Sequence, residues 1–105
     1  MPRRRDKSRE RRLAEERVAR LMDLAAAAAR EARWERAHRY SGLARRLAMR
    51  HQLGTTGPMR GRVCRRCGAF LVPGATLRVR VRDGKLVRTC LACGLVRRRP
   101  LAPKG

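Results

Sequence analysis

Large rings are almost missing from this chain. Trp34, Tyr40 and Phe70 are the only aromatic side chains in 105 residues, so there is little material for a broad core, and a segment this small needs a staple. Acid is nearly as scarce: seven of the eight Asp and Glu residues lie at or before Glu35, and Asp83 alone follows. Long apolar runs are absent. Leu24 to Ala29 is short and mostly alanine, well below the roughly 20 residues that cross a bilayer. The basic start from Pro2 to Arg12 leads into charge instead of a hydrophobic core, which argues against a secretory leader. The expectation is an intracellular, cytoplasmic chain with no membrane partner, whose thiols stay reduced. The chemistry of an enzyme is lacking too, since no carboxylate pair flanks a histidine, no serine faces a base and no glycine loop cradles phosphate. The isolated chain is therefore expected not to be catalytic.

What the sequence does have is positive charge. There are 29 Lys and Arg against 8 Asp and Glu, a formal net charge of +21. From Arg36 onward the chain is almost purely cationic, and most of the cations are arginines, whose planar forks bind phosphate in bidentate fashion and stack on exposed bases. So much uncompensated charge repels itself unless a polyanion neutralises it, which points to nucleic acid.

All four cysteines fall in two matched motifs, Cys64-Arg65-Arg66-Cys67-Gly68 and Cys90-Leu91-Ala92-Cys93-Gly94. A Cys-x-x-Cys turn brings two thiolates to one side of a tetrahedral ion, and a glycine after each lets the chain curl so that amides point at sulfur. The reading is one structural Zn2+ held by Cys64, Cys67, Cys90 and Cys93. Two disulfides or a redox pair are the alternatives. The duplicated motif and the lack of a βαβ context weigh against the redox pair.

The rest of the chain divides around this pair. Residues 1–12 read as a charged arm, disordered in isolation, although a helix becomes plausible from Asp6 or Ser8. Residues 13–53 read as a two-helix hairpin. Leu13, Val18 and Leu21 lie on the first stripe and Trp34, Tyr40 and Leu47 on the second, and the outer sides of both await a protein partner. Neither Gly nor Pro marks the break near Glu31 to Arg33. Arg39, Arg45, Arg46 and Arg50 lie away from the second stripe with no acid in reach, so they are candidates for phosphate. Residues 54–60, with Gly54-Thr55-Thr56-Gly57-Pro58, read as a flexible linker in which glycine closes the helix.

Residues 61–100 read as a zinc ribbon with a three-stranded antiparallel sheet, and 101–105 as a loose tail. Ala69 to Val72 suggests a short strand. In the alternating run that follows, Leu77, Val79 and Val81 are expected on the buried face and Arg78, Arg80 and Arg82 on the open one. Asp83-Gly84 signals a hairpin whose register is open between a two-residue and a three-residue loop. With Arg62, Arg65, Arg66, Arg97 and Arg98, these arginines complete the predicted nucleic-acid surface. The predicted fold is small α+β, a helical hairpin followed by a zinc ribbon. A DNA-binding ribbon or a ribosomal protein would share this composition.

Several of these stretches also carry a likeness. Tyr40, Ala44-Arg45-Arg46-Leu47-Ala48-Met49-Arg50, Cys64-Arg65-Arg66-Cys67, Phe70-Leu71-Val72-Pro73-Gly74, Arg78-Val79-Arg80 and Thr89-Cys90-Leu91-Ala92-Cys93-Gly94 closely resemble the archaeal ribonuclease P protein component 4 family. The resemblance covers roughly Trp34 to Pro100. It departs at Thr76, where asparagine is expected, and at Gly68, where some relatives carry a bulkier residue. It implies a subunit of the endoribonuclease that removes the 5′ leader from precursor tRNA, with chemistry carried by an RNA subunit and its Mg2+. It also implies an Sm-like β-barrel partner, component 1, beside ribonuclease P RNA, other ribonuclease P proteins and, indirectly, precursor tRNA. The four cysteines match its zinc ligands, and Arg45, Arg50, Arg78, Arg80 and Arg97 match basic positions assigned to RNA.

Overall fold

The computed structural model describes residues 4–54 and 57–101, so Thr55 and Thr56 of the linker and residues 102–105 of the tail lie outside it. Two helices, α1 (Arg4–Arg30) and α2 (Trp34–Arg50), precede three strands, β1 (Leu77–Arg82), β2 (Lys85–Cys90) and β3 (Val96–Pro100). The helix begins at Arg4, inside the stretch that charge alone marked as an arm. No helix among the described residues is long and apolar enough to cross a membrane.

The helices pair through small residues. Ala14, Val18, Met22, Ala25 and Ala28 of α1 are buried, as are Ala37, Ser41, Ala44 and Ala48 of α2. The buried stripe of α2 is thus turned from the predicted one, and Tyr40 and Leu47 sit at its half-buried border. The break between the helices is a Schellman motif built on an alanine. Arg33 N–H donates to Ala28 C=O and Ala32 N–H to Ala29 C=O, with Ala32 at φ 58. Helix α2 ends the same way, on Gln52 at φ 52, with Leu53 N–H on Ala48 C=O. The stop therefore falls on Gln52, two residues before the glycine expected to close the helix.

The ribbon is not tethered loosely to this hairpin. Met59, Val63 and Phe70 join Val18, Met22, Ala37 and Ala44 in one core. Met59 belongs to the predicted linker and is only 7% exposed, so the end of that segment is docked against the helices. A second, smaller cluster of Cys64, Ala69 and Cys90, with Leu71, Cys93 and Leu95 around it, sits under the sulfurs.

The sheet runs in the order β1-β2-β3, antiparallel throughout. Asp83 (φ 51) and Gly84 (φ 70) form a two-residue turn that sets Val81 opposite Leu86 and Leu77 opposite Cys90. Ala69 to Val72 is no strand: Phe70 makes a single bridge to Val63. Thr76 closes the loop that follows, its hydroxyl donating to Phe70 C=O at 2.6 Å while accepting Val72 N–H at 2.8 Å. Leu77 is buried as expected, but Val79 and Val81 are 40% and 63% exposed, because neither helix packs against the strands.

Candidate metal centre and basic surfaces

The two knuckles are the same turn made twice. Gly68 N–H donates to Cys64 C=O at 2.9 Å and Gly94 N–H to Cys90 C=O at 2.8 Å. Each chain then returns alongside itself, Cys64 N–H to Ala69 C=O and Cys90 N–H to Leu95 C=O, both at 2.9 Å. Gly68 (φ 79) and Gly94 (φ 83) occupy the left-handed region that the turn requires.

This geometry brings the four Sγ atoms within 4.8 Å of one another, with Cys64 to Cys93 at 3.6 Å and Cys67 to Cys90 at 3.7 Å. Tetrahedral bonds of about 2.3 Å put thiolates about 3.8 Å apart, so the spacing fits a zinc ion. A disulfide, at about 2.05 Å, is excluded at these separations, and all four thiols are free. Burial raises the Cys64 thiol, but the amides of Cys67 and Arg66 and the neighbouring thiols outweigh it and bring the group down to about 7. Cys67 is pushed up to about 12, by desolvation first and then by the neighbouring sulfurs. Burial also raises Cys90. Cys64 thus ionises readily while Cys67 and Cys90 resist, through desolvation first and, at Cys67, through the crowding of neighbouring sulfurs.

Helix α2 seats the first knuckle along one stripe, His38, Ser41, Gly42 and Arg45. Ser41 Oγ donates to Gly68 C=O at 2.5 Å, and Phe70 N–H donates to His38 Nδ1 at 3.0 Å. The Arg45 guanidinium donates twice to Arg65 C=O, at 3.1 and 2.8 Å. A Cβ on Gly68 would stand 3.4 Å from Gly42 Cα and from Arg45 Cδ, so backbone meets backbone there. Desolvation lowers the pKa of His38, which suits its role as an acceptor. The sequence marks Arg45 as a candidate for phosphate, and a histidine such as His38, with four cysteines present for a metal, reads as a surface or interface side chain. In this structure both hold the knuckle, and neither Ser41 nor Gly42 carries a sequence pattern that singles it out. A serine bonding a carbonyl 27 residues away leaves no periodic trace.

The predicted arginines spread over several surfaces. Arg62 is half-buried, donating to Pro58 C=O at 3.3 Å with its guanidinium 5.4 Å from the Phe70 ring centre. Arg65 and Arg66 are exposed on the knuckle and Arg39 on α2. Arg46 and Arg50 rim a groove with Arg17, around Leu21, Leu43 and Leu47. The register places Arg78, Arg80, Arg82, Lys85 and Arg98 on one face of the sheet and Arg88, Arg97 and Arg99 on the other. Among the described residues the ion pairs are Arg11 with Glu15 and Arg33 with Glu31, both near α1.

Of the predicted partner-facing residues, Leu13 is exposed, and Leu21, Trp34, Tyr40 and Leu47 are half-buried. Val18 is fully buried against α2 and is removed from that set. Leu24 and Leu43, each 42% exposed, extend the leucine surface in its place.

Comparison with known proteins gives a consistent result. A family model described as the RNAse P Rpr2/Rpp21/SNM1 subunit domain matches residues 17–94. The chain is 49% identical to ribonuclease P protein component 4 of Methanoculleus marisnigri, over 84% of this chain and 83% of that protein. It is 40% identical to the Archaeoglobus fulgidus protein of the same name, over 96% and 92%. Among solved structures, a chain of the cryo-EM structure of archaeal ribonuclease P with mature tRNA superposes with TM-score 0.73 at 41% identity, covering 84% of this chain and 76% of that one. Pfu Rpp21 superposes with TM-score 0.62 at 35% identity, covering 81% and 96%.

Proposed function

This chain belongs to the ribonuclease P Rpr2/Rpp21/SNM1 subunit family, and from that premise we propose that it binds and stabilises the catalytic RNA of ribonuclease P in the cytoplasm while the chemistry is carried by that RNA and its Mg2+. The observation that carries the reading is the family match over residues 17–94, which spans both helices' pairing region and both knuckles. Charge supports it independently. Arginines without acids gather on both faces of the sheet and on the knuckle, where they neutralise phosphates that crowd together as RNA folds.

The metal in this reading is one Zn2+ held by Cys64, Cys67, Cys90 and Cys93. Four thiolates leave no open position for water or substrate, so its contribution is structural. Arg39, Arg65, Arg66, Arg78, Arg80, Arg82, Arg97 and Arg98 are the predicted arginines exposed for RNA. Arg46 and Arg50 border the leucine surface of the hairpin. That surface, Leu13, Leu21, Leu24, Leu43 and Leu47, is assigned to the Sm-like β-barrel subunit, component 1. Other ribonuclease P proteins and precursor tRNA then meet the chain through the assembled particle.

A competition assay tests the RNA reading. Ribonuclease P RNA should displace a labelled structured RNA far more effectively than duplex DNA of equal length at matched salt, and parity or preference for DNA would overturn it. For the partner face, Leu21→Glu with Leu47→Glu should abolish co-elution with component 1 while helix content is kept. Unchanged co-elution would remove that assignment.

A further inference from the structure

A cleft of about 970 Å³ opens between the C-terminal half of α2, the segment around Met59 to Arg65 and the Arg88-Arg97-Arg99 face of the sheet. Its volume lies near the top of the range, about 300–1,000 Å³, in which ligand sites usually fall. It is separate from the leucine groove on the hairpin. Met49, Leu71, Leu77 and Leu86 supply apolar walls, Arg60, Arg88, Arg97 and Arg99 stand among them, and among the described residues no acidic side chain lines it.

The arginines are gathered there by the register. Arg88 lies directly opposite Arg97, and Arg99 opposite Leu86, on the same sheet face. Like charges across a strand pair cost stability, so an anion between them is favoured. Arg88 is anchored by donating to Gly61 C=O at 2.6 Å, which fixes one cation of the pair. Arg60, Arg97 and Arg99 form no ion pair among the described residues.

Cations over apolar walls match a ligand that is anionic at one end and flat and apolar at the other. Paired RNA offers its phosphates but keeps its base faces stacked, whereas an unpaired nucleotide splayed from the helix offers both. We propose that this cleft holds one unpaired nucleotide of the bound RNA, its base against Met49 and Leu86 and its flanking phosphates on Arg60, Arg97 and Arg99. The inference rests on the RNA-binding reading above and specifies how part of that RNA is held. Because every base has an apolar face, the site recognises an extruded nucleotide and tolerates its identity.

The test uses the zinc-loaded full chain and three RNA hairpins of equal length: fully paired, carrying one bulged uridine, and carrying an abasic residue at the bulge. The bulged hairpin should bind roughly tenfold more tightly than the paired one, and the abasic residue should abolish the gain. Met49→Glu, at a side chain 62% exposed and so harmless to packing, should remove the preference for the bulge. A 4-thiouridine at the bulge should crosslink to peptides containing Met49, Leu86 or Arg97. Equal affinity for all three hairpins, or crosslinks confined to Arg78, Arg80 and Arg82, would overturn the cleft assignment and leave the RNA reading standing. Absence of salt-dependent binding to any hairpin would overturn both.

Discussion

Cys64 to Gly68 and Cys90 to Gly94 fold into one turn with one set of hydrogen bonds, but their surroundings differ. The first knuckle rests on α2, where Ser41, His38 and Arg45 take up its backbone groups and Phe70 beside it enters the helical core. The second projects outward, with Leu91 55% exposed, and its support comes from the sheet, one bond from Leu91 N–H to Thr76 C=O at 3.0 Å and the sulfurs themselves. A repeated motif thus fixes a shape, and neighbouring structure decides how much of that shape depends on the metal. In the proposed zinc-loaded state, one half of the centre is held twice, by helix and by ion, and the other chiefly by ion.

Removing the metal should separate the two halves most. Structural zinc contributes on the order of 10 kcal/mol in small domains, so chelation should expose the amides of Leu86 to Arg99 to rapid hydrogen exchange. Amides of Ala37 to Ala48 should stay protected and Phe70 should fall between. Uniform loss across the chain would mean that the helical seat contributes nothing of its own.

Ala substitution of the knuckle glycines makes the same comparison more finely. Gly68→Ala and Gly94→Ala each force a left-handed alanine, about 1–2 kcal/mol. Gly68→Ala also sets its Cβ 3.4 Å from Gly42 Cα and Arg45 Cδ, at the near edge of ordinary contact, whereas the space around Gly94 is open. Urea unfolding of the zinc-loaded variants should rank Gly68→Ala as the more damaging, and a reversed order would contradict the seating. Ser41→Ala leaves the Gly68 carbonyl without its buried donor. It should cost about 1–3 kcal/mol by the same measurement, with zinc stoichiometry unchanged.

The smallest effect belongs to His38. Its folded pKa lies below its unfolded value of about 6.5, so the unfolded chain binds the extra proton. The contribution of His38 is present above that value and is lost as pH falls through the folded pKa. Stability measured from pH 8 to pH 6 should therefore decline toward acid more in the parent chain than in His38→Ala. Identical slopes would show that Phe70 N–H does not depend on a neutral imidazole.

Local chemistry made much of the fold legible. The cysteine pairs, the two helical stripes and the Asp83-Gly84 turn are each written within a few adjacent residues, and the family likeness rested on the same stretches. The register at that turn was open in sequence because both loop lengths satisfy the alternation of Leu77, Val79 and Val81. The turn pairs Val81 with Leu86, and the separate β2-β3 register, closed by the second knuckle, sets Arg88 opposite Arg97, which no single strand reveals. The helix ends were hidden because Ala32 and Gln52, not glycine, take the left-handed cap positions. The docking of ribbon on hairpin was hidden for another reason. The Gly and Thr of residues 54–57 signal a tether, while the contacts that cancel it come from Met59, Ser41 and Phe70, far apart in the chain.

The functional account stands on arginines neutralising RNA phosphates, and the salt dependence of affinity for structured RNA measures that directly. If about 8 phosphates are neutralised, log affinity for the zinc-loaded chain should fall with log salt at a slope of about −6 to −7. A slope near zero would contradict it.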